Sequence, residues 1–535
     1  MANVSKIIGY NKTSSTNNKL LAIYGNDVVN VDTGAGFGLN IADATKADLE
    51  VYLDRVFLQQ YKDVYATSTD STRPKTYDGS AWTTELAERM PLASLIKSFK
   101  ERLYLADISF CNPQPPAVDT PGEAANIKYA SKIFHTNLPV GENKLIMGLE
   151  WGTNGIVTAG DNLFRIAQEG KQPPQDFVAR GIRVGDPLFI TRGYPMASTS
   201  KAQTSRFTVA SISTPYSLRT IEKFEFSRTD VNYWVGSNWF DVGTSDNDYI
   251  TAFGENDDKL LFFKRFSLWR YNLTSLQKVK DAPGTTSPKS VVNVKEMTLY
   301  FHGSNTGTRK TGFYGYDGAR SNFVSRAIQP YIDGISASNY PNVVAWREGN
   351  KYRAFVGDIT NTPRNISVTN AVITIDVEGG QFSIDPIGDV IKSSGRFIES
   401  NAEKIFVGND SGEVMETPSG NTHNGDPISW AMEIGPRFPA GSEIINEFTR
   451  IMIRSRGGRY IQVAYKLLGT PDDDDDQWLP LGDLKSNNQE LFLPSSHHAG
   501  RGIDLRLSSQ DSNANDFVVE KMSIFYIPKN VRNVV

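Results

Sequence analysis

A single cysteine, Cys111, occurs in a chain of 535 residues. No internal disulfide framework can form, and a cysteine-rich zinc centre is excluded. Cys111 reads as a small buried hydrophobe, the ordinary role of a free thiol. Histidine is nearly as scarce, with five residues: His135, His302, His423, His497 and His498. Only the last two are adjacent, and neighbours on a strand point to opposite faces, so they do not readily share a metal. No His-x-His or His-Glu-x-x-His spacing exists. Long hydrophobic runs are also missing. The densest, Leu260 to Phe263, is far short of the roughly 20 residues that a membrane-spanning helix needs. The opening MANVSKIIGYNKTSSTNN contains no apolar segment of signal-peptide length. A soluble protein made in the cytosol is expected, with no membrane partner.

Charge of one sign is lacking as well. Lys and Arg total 56 against 60 Asp and Glu, a net charge of −4, so no global basic field draws in nucleic acid.

Catalytic patterns fail one by one. Asp32-Thr33-Gly34 follows an apolar strand as in aspartic proteases, but a second such triplet is absent and a turn is the better reading. Gly34, Gly36 and Gly38 lack the helix and the later acid of a dinucleotide site. Gly408 to Met415 echoes the Asp-box turn of sialidase-type propellers through Asp410 and Gly412, without its leading hydroxyl residue and closing aromatic; it reads as a hairpin turn. Asp472 to Asp476 lacks the rhythm of a calcium loop and reads as an exposed acidic loop, with calcium or a basic neighbour as the alternative. No Ser-His-Asp, Cys-His or phosphate-loop arrangement can be assembled. The expectation is a protein with no catalytic residues, no cofactor and no metal.

What the chain has in abundance is strand and turn. It carries 22 Tyr and 28 Phe, which suit pleated surfaces, among many Asn, Ser, Thr and Gly. From Asp248 to Ile335, six strand-and-turn phrases follow one another. Tyr249 to Phe253 alternates, Glu255 to Asp258 turns, Leu260 to Phe263 is dense, and a strand through Trp269-Arg270-Tyr271 follows. After the loop Pro283 to Ser287 come Leu299-Tyr300-Phe301 and Gly312 to Tyr316, closed by a turn at Asp317-Gly318. Such spacing signals antiparallel all-β architecture. Further hairpins are expected with turns at Arg347 to Lys351, at Gly379-Gly380, and at Asn409 to Gly412 around Asp410. Beyond Ile428, alternating strands such as Ile451, Ile453 and Ser455 opposite Met452 and Arg454 read as a sandwich-like sheet pair, ending in a tail over Lys529 to Val535. The clearest helix is expected over Ala44–Asp63, where Leu49, Tyr52, Leu53, Val56 and Phe57 fall at spacings of three and four. A second, broken by Pro91, is expected within Thr83–Phe99.

The order Phe263-Lys264-x-x-Ser267-x-Trp269, then Gly284-Thr285-x-Ser287, then Gly312-Phe313-Tyr314-x-x-Asp317-Gly318 and Val324-Ser325-x-x-Ile328 resembles the propeller-bearing tail hub and nozzle proteins of short-tailed bacteriophages. The likeness extends upstream to Phe99–Ser109 and towards the C-terminus. It implies a mainly β fold: a β-propeller with an inserted small β-barrel-like domain, a C-terminal β-sandwich-like region and a short helical N-terminal part. The expected divisions are an N-terminal platform at 1–98, first propeller strands at 99–178, a small β insertion at 179–215 with an exposed loop Gly193–Ser205, blades at 216–427 and a C-terminal region at 428–535. The likeness further implies a virion structural protein in a homo-oligomeric ring, a hexamer, with portal or adaptor rings and other tail proteins as partners and packaged DNA passing through. A carbohydrate-binding adhesin is the alternative, and a glycan-cleaving propeller enzyme a third reading.

Overall fold

The computed structural model describes residues 3–11, 18–41, 43–60, 74–83, 90, 92–109, 128–129, 131–137, 148, 150–167, 176–191, 204–243, 248–304, 309–364, 366–399, 402–417, 422–423, 426–427, 430–441, 444–456, 461–469, 477–485, 487–495, 498–509 and 518–529. The protein is mainly β, built from antiparallel sheets. It divides into two compact units. One comprises Met1–Val356 with Val390–Thr417, the other Gly357–Asp389 with Pro418–Val535.

In the first unit the chain lays down sheets in sequence order. The first sheet runs Val4–Tyr10, Lys19–Tyr24, Asp27–Asn30, Ala35–Gly36, and the second Ala47–Tyr52, Arg55–Gln60, Lys75–Tyr77, Trp82–Thr83. The third pairs Leu92–Phe99, Arg102–Ser109, Lys132–His135 and Trp239–Asp241. The fourth runs from Ile250–Asn256 to Leu276–Lys278 and the fifth from Val292–Val294 to Ser321–Phe323. Val344–Glu348 opens the sixth, and Ile391–Glu399, Ala402–Asn409 and Val414–Thr417 form the seventh. The leading strand of each sheet packs on that of the next, and Ile391–Glu399 packs back on Val4–Tyr10, closing a ring.

Strand periodicity explains how a sheet is buried on both faces. In Lys259–Lys264, Leu260 and Phe262 enter the core shared with the third sheet, beside Tyr104 and Ile133. Their neighbours Leu261 and Phe263 enter the core shared with the fifth, beside Tyr300 and Tyr316. Leu103 and Leu105 likewise face the second sheet while Tyr104 and Ala106 face the fourth. Alternate side chains point to opposite faces, so a strand between two packed sheets is apolar at every position.

The expected helix over Ala44–Asp63 is instead a hairpin. Ala47–Tyr52 pairs with Arg55–Gln60 in register, Tyr52 opposite Arg55, after a 3-10 turn at Ala44–Lys46; residues 61–63 lie outside the described set. Leu53 and Asp54 both take positive φ, 50° and 53°, the conformation of a tight hairpin turn. Spacings of three and four also fit two strands with both faces covered: Val56, Phe57, Leu58, Gln59 and Gln60 are all buried. The second expected helix is overturned where described, since Leu92–Phe99 is a strand; 84–89 and 91 lie outside. Lys100 and Glu101, again at positive φ, turn it into Arg102–Ser109.

Between the third and fourth strands of the third sheet the chain makes a separate closed barrel of Glu150–Val157, Leu163–Ile166, Ser217–Thr220, Thr204–Thr214, Pro187–Thr191 and Arg228–Val235. Its core holds Phe164, Phe177, Leu188, Phe207, Leu218 and Tyr233. The barrel therefore draws on more chain than 179–215, and it interrupts a sheet where the sequence suggested a position between blades.

In the second unit Ile366–Asp376 pairs with Phe382–Pro386. Two further sheets, Trp430–Arg437 with Gly502–Ser509, Ile461–Leu468 and Leu479–Leu484, and Asn488–Phe492 with Asn446–Arg456 and Val518–Pro528, share one core. Ile451, Ile453 and Ser455 are buried, and Arg454 is exposed.

Candidate functional site

The residues that carry the family resemblance meet in space, and what they do is join sheets. Lys264, at the end of its strand, is fully buried; its ammonium donates to the Gly243 carbonyl at 3.1 Å. Its backbone carbonyl accepts from Thr285 N at 2.9 Å. The Thr285 hydroxyl donates to the Phe301 carbonyl at 2.6 Å and accepts from Ser287 N at 2.9 Å. The Thr285 carbonyl accepts from the Thr251 hydroxyl at 2.6 Å. Ser287 Oγ donates to the Tyr340 carbonyl. Ser290, one step on, donates to the Ser287 carbonyl and accepts from Phe301 N, while its own carbonyl accepts from Tyr352 OH at 2.8 Å. The fourth, fifth and sixth sheets are thereby tied through one buried polar strip. Every buried polar atom named here has a partner, as a dry interior demands.

Gly284 is the point of closest approach. A Cβ there would sit 1.8 Å from the Lys264 carbonyl oxygen. The Gly284 carbonyl meets His302 Nδ1 at 2.9 Å, which makes that nitrogen the protonated one. Burial pulls the His302 pKa down, so the ring stays neutral as a structural donor. Trp269 Nε1 donates to Ser267 Oγ, and Ser325 Oγ accepts from Phe313 N.

Asp317 and Gly318 lie in the turn between Gly312–Tyr316 and Ser321–Phe323. The Asp317 carboxylate accepts from Arg320 N at 2.8 Å and Ala319 N at 3.0 Å. These amides, Arg320's first, hold its pKa below the usual carboxylate range. Gly318 has φ 90°, and its carbonyl accepts from Tyr316 OH at 2.6 Å, Arg270 Nη1 at 3.1 Å and Lys259 Nζ at 3.3 Å. A Cβ at Gly318 would meet Asn256 Oδ1 at 3.2 Å and Lys259 Nζ at 3.9 Å, both ends of side chains, so conformation outweighs space. Gly318→Val is expected to cost about 1–3 kcal/mol, read as a lower melting temperature; an unchanged value would contradict the strained turn.

Gly379 and Gly380 occupy the turn before Phe382–Pro386, with Gly380 at φ 62° and the Asp376 carboxylate accepting from Glu378 N and Gly379 N. In the turn at Asp410 and Gly412 the organising residue is Asn409, the first of the four turn residues read from the sequence. It is fully buried, and its side-chain oxygen accepts from Ser411 N and Glu413 N. Asp32 lies in a turn, its amide donating to Asn30 Oδ1. His135 packs between Tyr104 and Phe240, tilted 41° to each ring, and burial pulls its pKa down. His498 meets Glu447 at 2.9 Å. Cys111, His497, Asp472 to Asp476 and residues 193–203 of the predicted loop lie outside the described residues, as does the His423 side chain. Among the described residues no group of three His, Cys, Asp or Glu is placed to hold a metal. No described helix is long and apolar enough to cross a membrane.

A second set of polar contacts links the leading strands of the first four sheets. Lys6 Nζ is 2.6 Å from Asp48 Oδ1, and Asp48 Oδ2 accepts from Ile96 N at 3.1 Å. Glu50 accepts from Ser98 N at 3.1 Å and stands 3.6 Å from Lys97, itself 3.8 Å from Glu255. Lys289, in the 3-10 turn Pro288–Ser290 ahead of the fifth sheet, donates to the Lys392 carbonyl of the seventh at 2.8 Å.

No protein-family model matches the chain, and no curated protein matches it. Among solved structures it is similar to the phage phi92 endosialidase, with 10% identity over 89% of this chain and 68% of that one and a TM-score of 0.18. It is also similar to the Pyrococcus horikoshii acylaminoacyl peptidase, with 8% identity over 91% and 62% and a TM-score of 0.23. A third is PorZ, a surface component of the type-IX secretion system of Porphyromonas gingivalis, with 9% identity over 98% and 81% and a TM-score of 0.17. At such values the superpositions carry no argument about fold or function.

Proposed function

We propose that this chain is a non-catalytic structural protein of a phage tail, a hub or nozzle subunit that assembles as a hexameric ring below the portal. Its closed series of seven sheets is read as a seven-bladed propeller. The observation that supports this most is the fate of the resemblance residues. Lys264, Ser267, Gly284, Thr285, Ser287 and Ser325 are buried fasteners between and within blades, so what the sequence shares with tail hub proteins is architecture. Packaged DNA would pass between the subunits of the assembled ring and not along one propeller's axis. The work of the protein is then mechanical: fitting the portal or adaptor ring, holding neighbouring tail proteins, and retaining and releasing DNA in the virion.

Light scattering of the purified protein should give the monomer mass, and addition of the adaptor ring should raise it to a hexamer. Images of the particle should show the same six-fold ring. A trimeric spike, or one copy per particle, would refute the reading.

One surface feature favours the adhesin alternative. Tyr249 and Phe266 are 42% and 52% exposed, and the Arg265 guanidinium lies 4.5 and 5.1 Å from their ring centres. Arg265 is itself fixed 2.9 Å from the buried Asp248 carboxylate. Rigid, solvent-facing aromatics can stack on a sugar ring. Specific glycan-array binding, lost in Tyr249→Ala, would select this reading.

A further inference from the structure

We infer that the outer face of the sheet built from Trp430–Arg437, Gly502–Ser509, Ile461–Leu468 and Leu479–Leu484 binds one hexopyranose unit of an uncharged glycan, stacked on Trp478 and hydrogen-bonded by Arg506, Glu433 and Gln462. The inference goes beyond the tail-ring reading and stands whether or not that reading holds. It concerns a different surface from Tyr249 and Phe266.

Alternation decides which side chains share this face. Ile503, Leu505 and Leu507 enter the sandwich core with Val463, Tyr465 and Leu467, so Arg506 and Ser508 stand on the other side with Gln462 and Ala464. Pairing sets them in rows. Arg506 lies between Glu433 and Ala464, Ser508 lies beside Gln462 in the next row, and Asp504 lies beside Lys466 in the third. Trp478 immediately precedes the outermost strand Leu479–Leu484, and the Arg506 guanidinium lies 4.9 Å from its ring centre. The strand between them contributes Ala464, paired with Arg506 on one side and Pro480 on the other. A methyl group there leaves the indole room to lie along the sheet. On the far side, Glu433 Oε1 accepts from Arg506 Nη2 at 2.6 Å and from Nε at 3.1 Å, which fixes the guanidinium plane. The two side chains are still 39% and 41% exposed, so a ligand reaches both. Arg506 Nη1 and Glu433 Oε2 take no part in the pair.

The chemistry of the set selects the ligand. A pyranose ring has an apolar face of C–H bonds, which packs on an aromatic ring, and a rim of hydroxyls that each donate and accept. Here a ring stands beside a planar donor, a planar acceptor and the Gln462 amide, all carried by strands of one sheet. Small side chains at Ala464 and Ser508 keep the floor between them low. Three strands and two rows span about 10 by 7 Å, room for one sugar ring. The charges balance, Arg506 and Lys466 against Glu433 and Asp504, so the face lacks the cationic excess that a phosphate backbone requires. Asp504 Oδ1 has no hydrogen-bond partner among the described residues; a sugar hydroxyl can donate to that carboxylate, and an anion cannot. The described acids and histidines do not converge as metal ligands either. An uncharged polyol with one apolar face is the ligand that uses every group.

A glycan array of neutral and sialylated oligosaccharides, probed with the full chain, tests the site. The wild type should bind neutral members of the array. Trp478→Ala and Arg506→Met should each weaken that binding about tenfold or more, the size expected for one stacked ring or one planar donor. Tyr249→Ala should leave it unchanged. Ala464→Gln removes none of the binding groups and only raises the floor, so it should abolish binding while the melting temperature holds. That variant decides the matter if Trp478→Ala fails to fold. No binding of the wild type to any neutral glycan, or binding confined to sialylated ones, would overturn the assignment. So would binding that survives in Ala464→Gln, or binding that Tyr249→Ala destroys and Trp478→Ala spares.

Discussion

Gly284→Ala should leave the first unit unable to fold, and Gly284→Val should do no worse. The added Cβ would stand 1.8 Å from the Lys264 carbonyl oxygen, 2.7 Å from its carbon and 2.8 Å from Ser267 N. All three are backbone atoms, so no rotamer change relieves the overlap. Nor can the strand retreat, because the Lys264 carbonyl accepts from Thr285 N and its amide donates to the Ser267 carbonyl. Either the polar strip breaks, leaving buried donors and acceptors unpaired, or the fifth sheet moves off the fourth. Each route costs more than about 4 kcal/mol, a large part of what a domain has to lose. Gly349→Ala is the control: nothing lies within 4 Å and only its φ of 57° is disturbed, for about 1 kcal/mol. Urea melts of both variants check this. A Gly284→Ala protein that unfolds within a few tenths molar of wild type would refute the close approach.

Much of this architecture was legible because it is local. Asp317-Gly318 and Gly379-Gly380 announce turns through residues that accept positive φ, and Ile461–Leu468 and Gly502–Ser509 alternate as half-buried strands do. The misreading at Ala44–Asp63 has a definite cause. Leu53 and Asp54 make a tight turn without the expected glycine, and Arg55–Gln60 is buried at five consecutive positions, so neither turn chemistry nor period two marked the hairpin. The barrel was seen only in part because Glu150–Val157 and Arg228–Val235, which close it, are far apart in the chain. The pairing of Lys6 with Asp48 was illegible for the same reason. Each is an ordinary charge in its own stretch, and only the packing of the first sheet on the second brings them together.

The ring closes without a covalent link, and its seam sets the second large expectation: Gly408→Ala should open it. Val4–Tyr10 lies against Ile391–Glu399 and Ala402–Asn409, over a core of Val4, Ile7, Leu20, Ala22 and Phe397. Three glycines let the backbones approach. A Cβ at Gly9 would meet the Arg396 carbonyl oxygen at 2.6 Å, one at Gly395 would meet Ile7 Cβ at 2.6 Å, and one at Gly408 would meet Val4 Cβ and Cγ1 at 2.6 Å. Over-packing a rigid contact costs typically 1–3 kcal/mol. Here the contact also holds the two ends of the ring together, so Gly408→Ala should expose the apolar seam to dye binding and speed proteolysis near both ends. Val4→Gly removes the atoms in the way. The double variant Val4→Gly/Gly408→Ala should therefore be more stable than the sum of the single losses by about 1–3 kcal/mol, the coupling expected of residues in contact. Strict additivity in that cycle would mean that the first strand does not lie on the seventh sheet, and the closed ring would have to be abandoned.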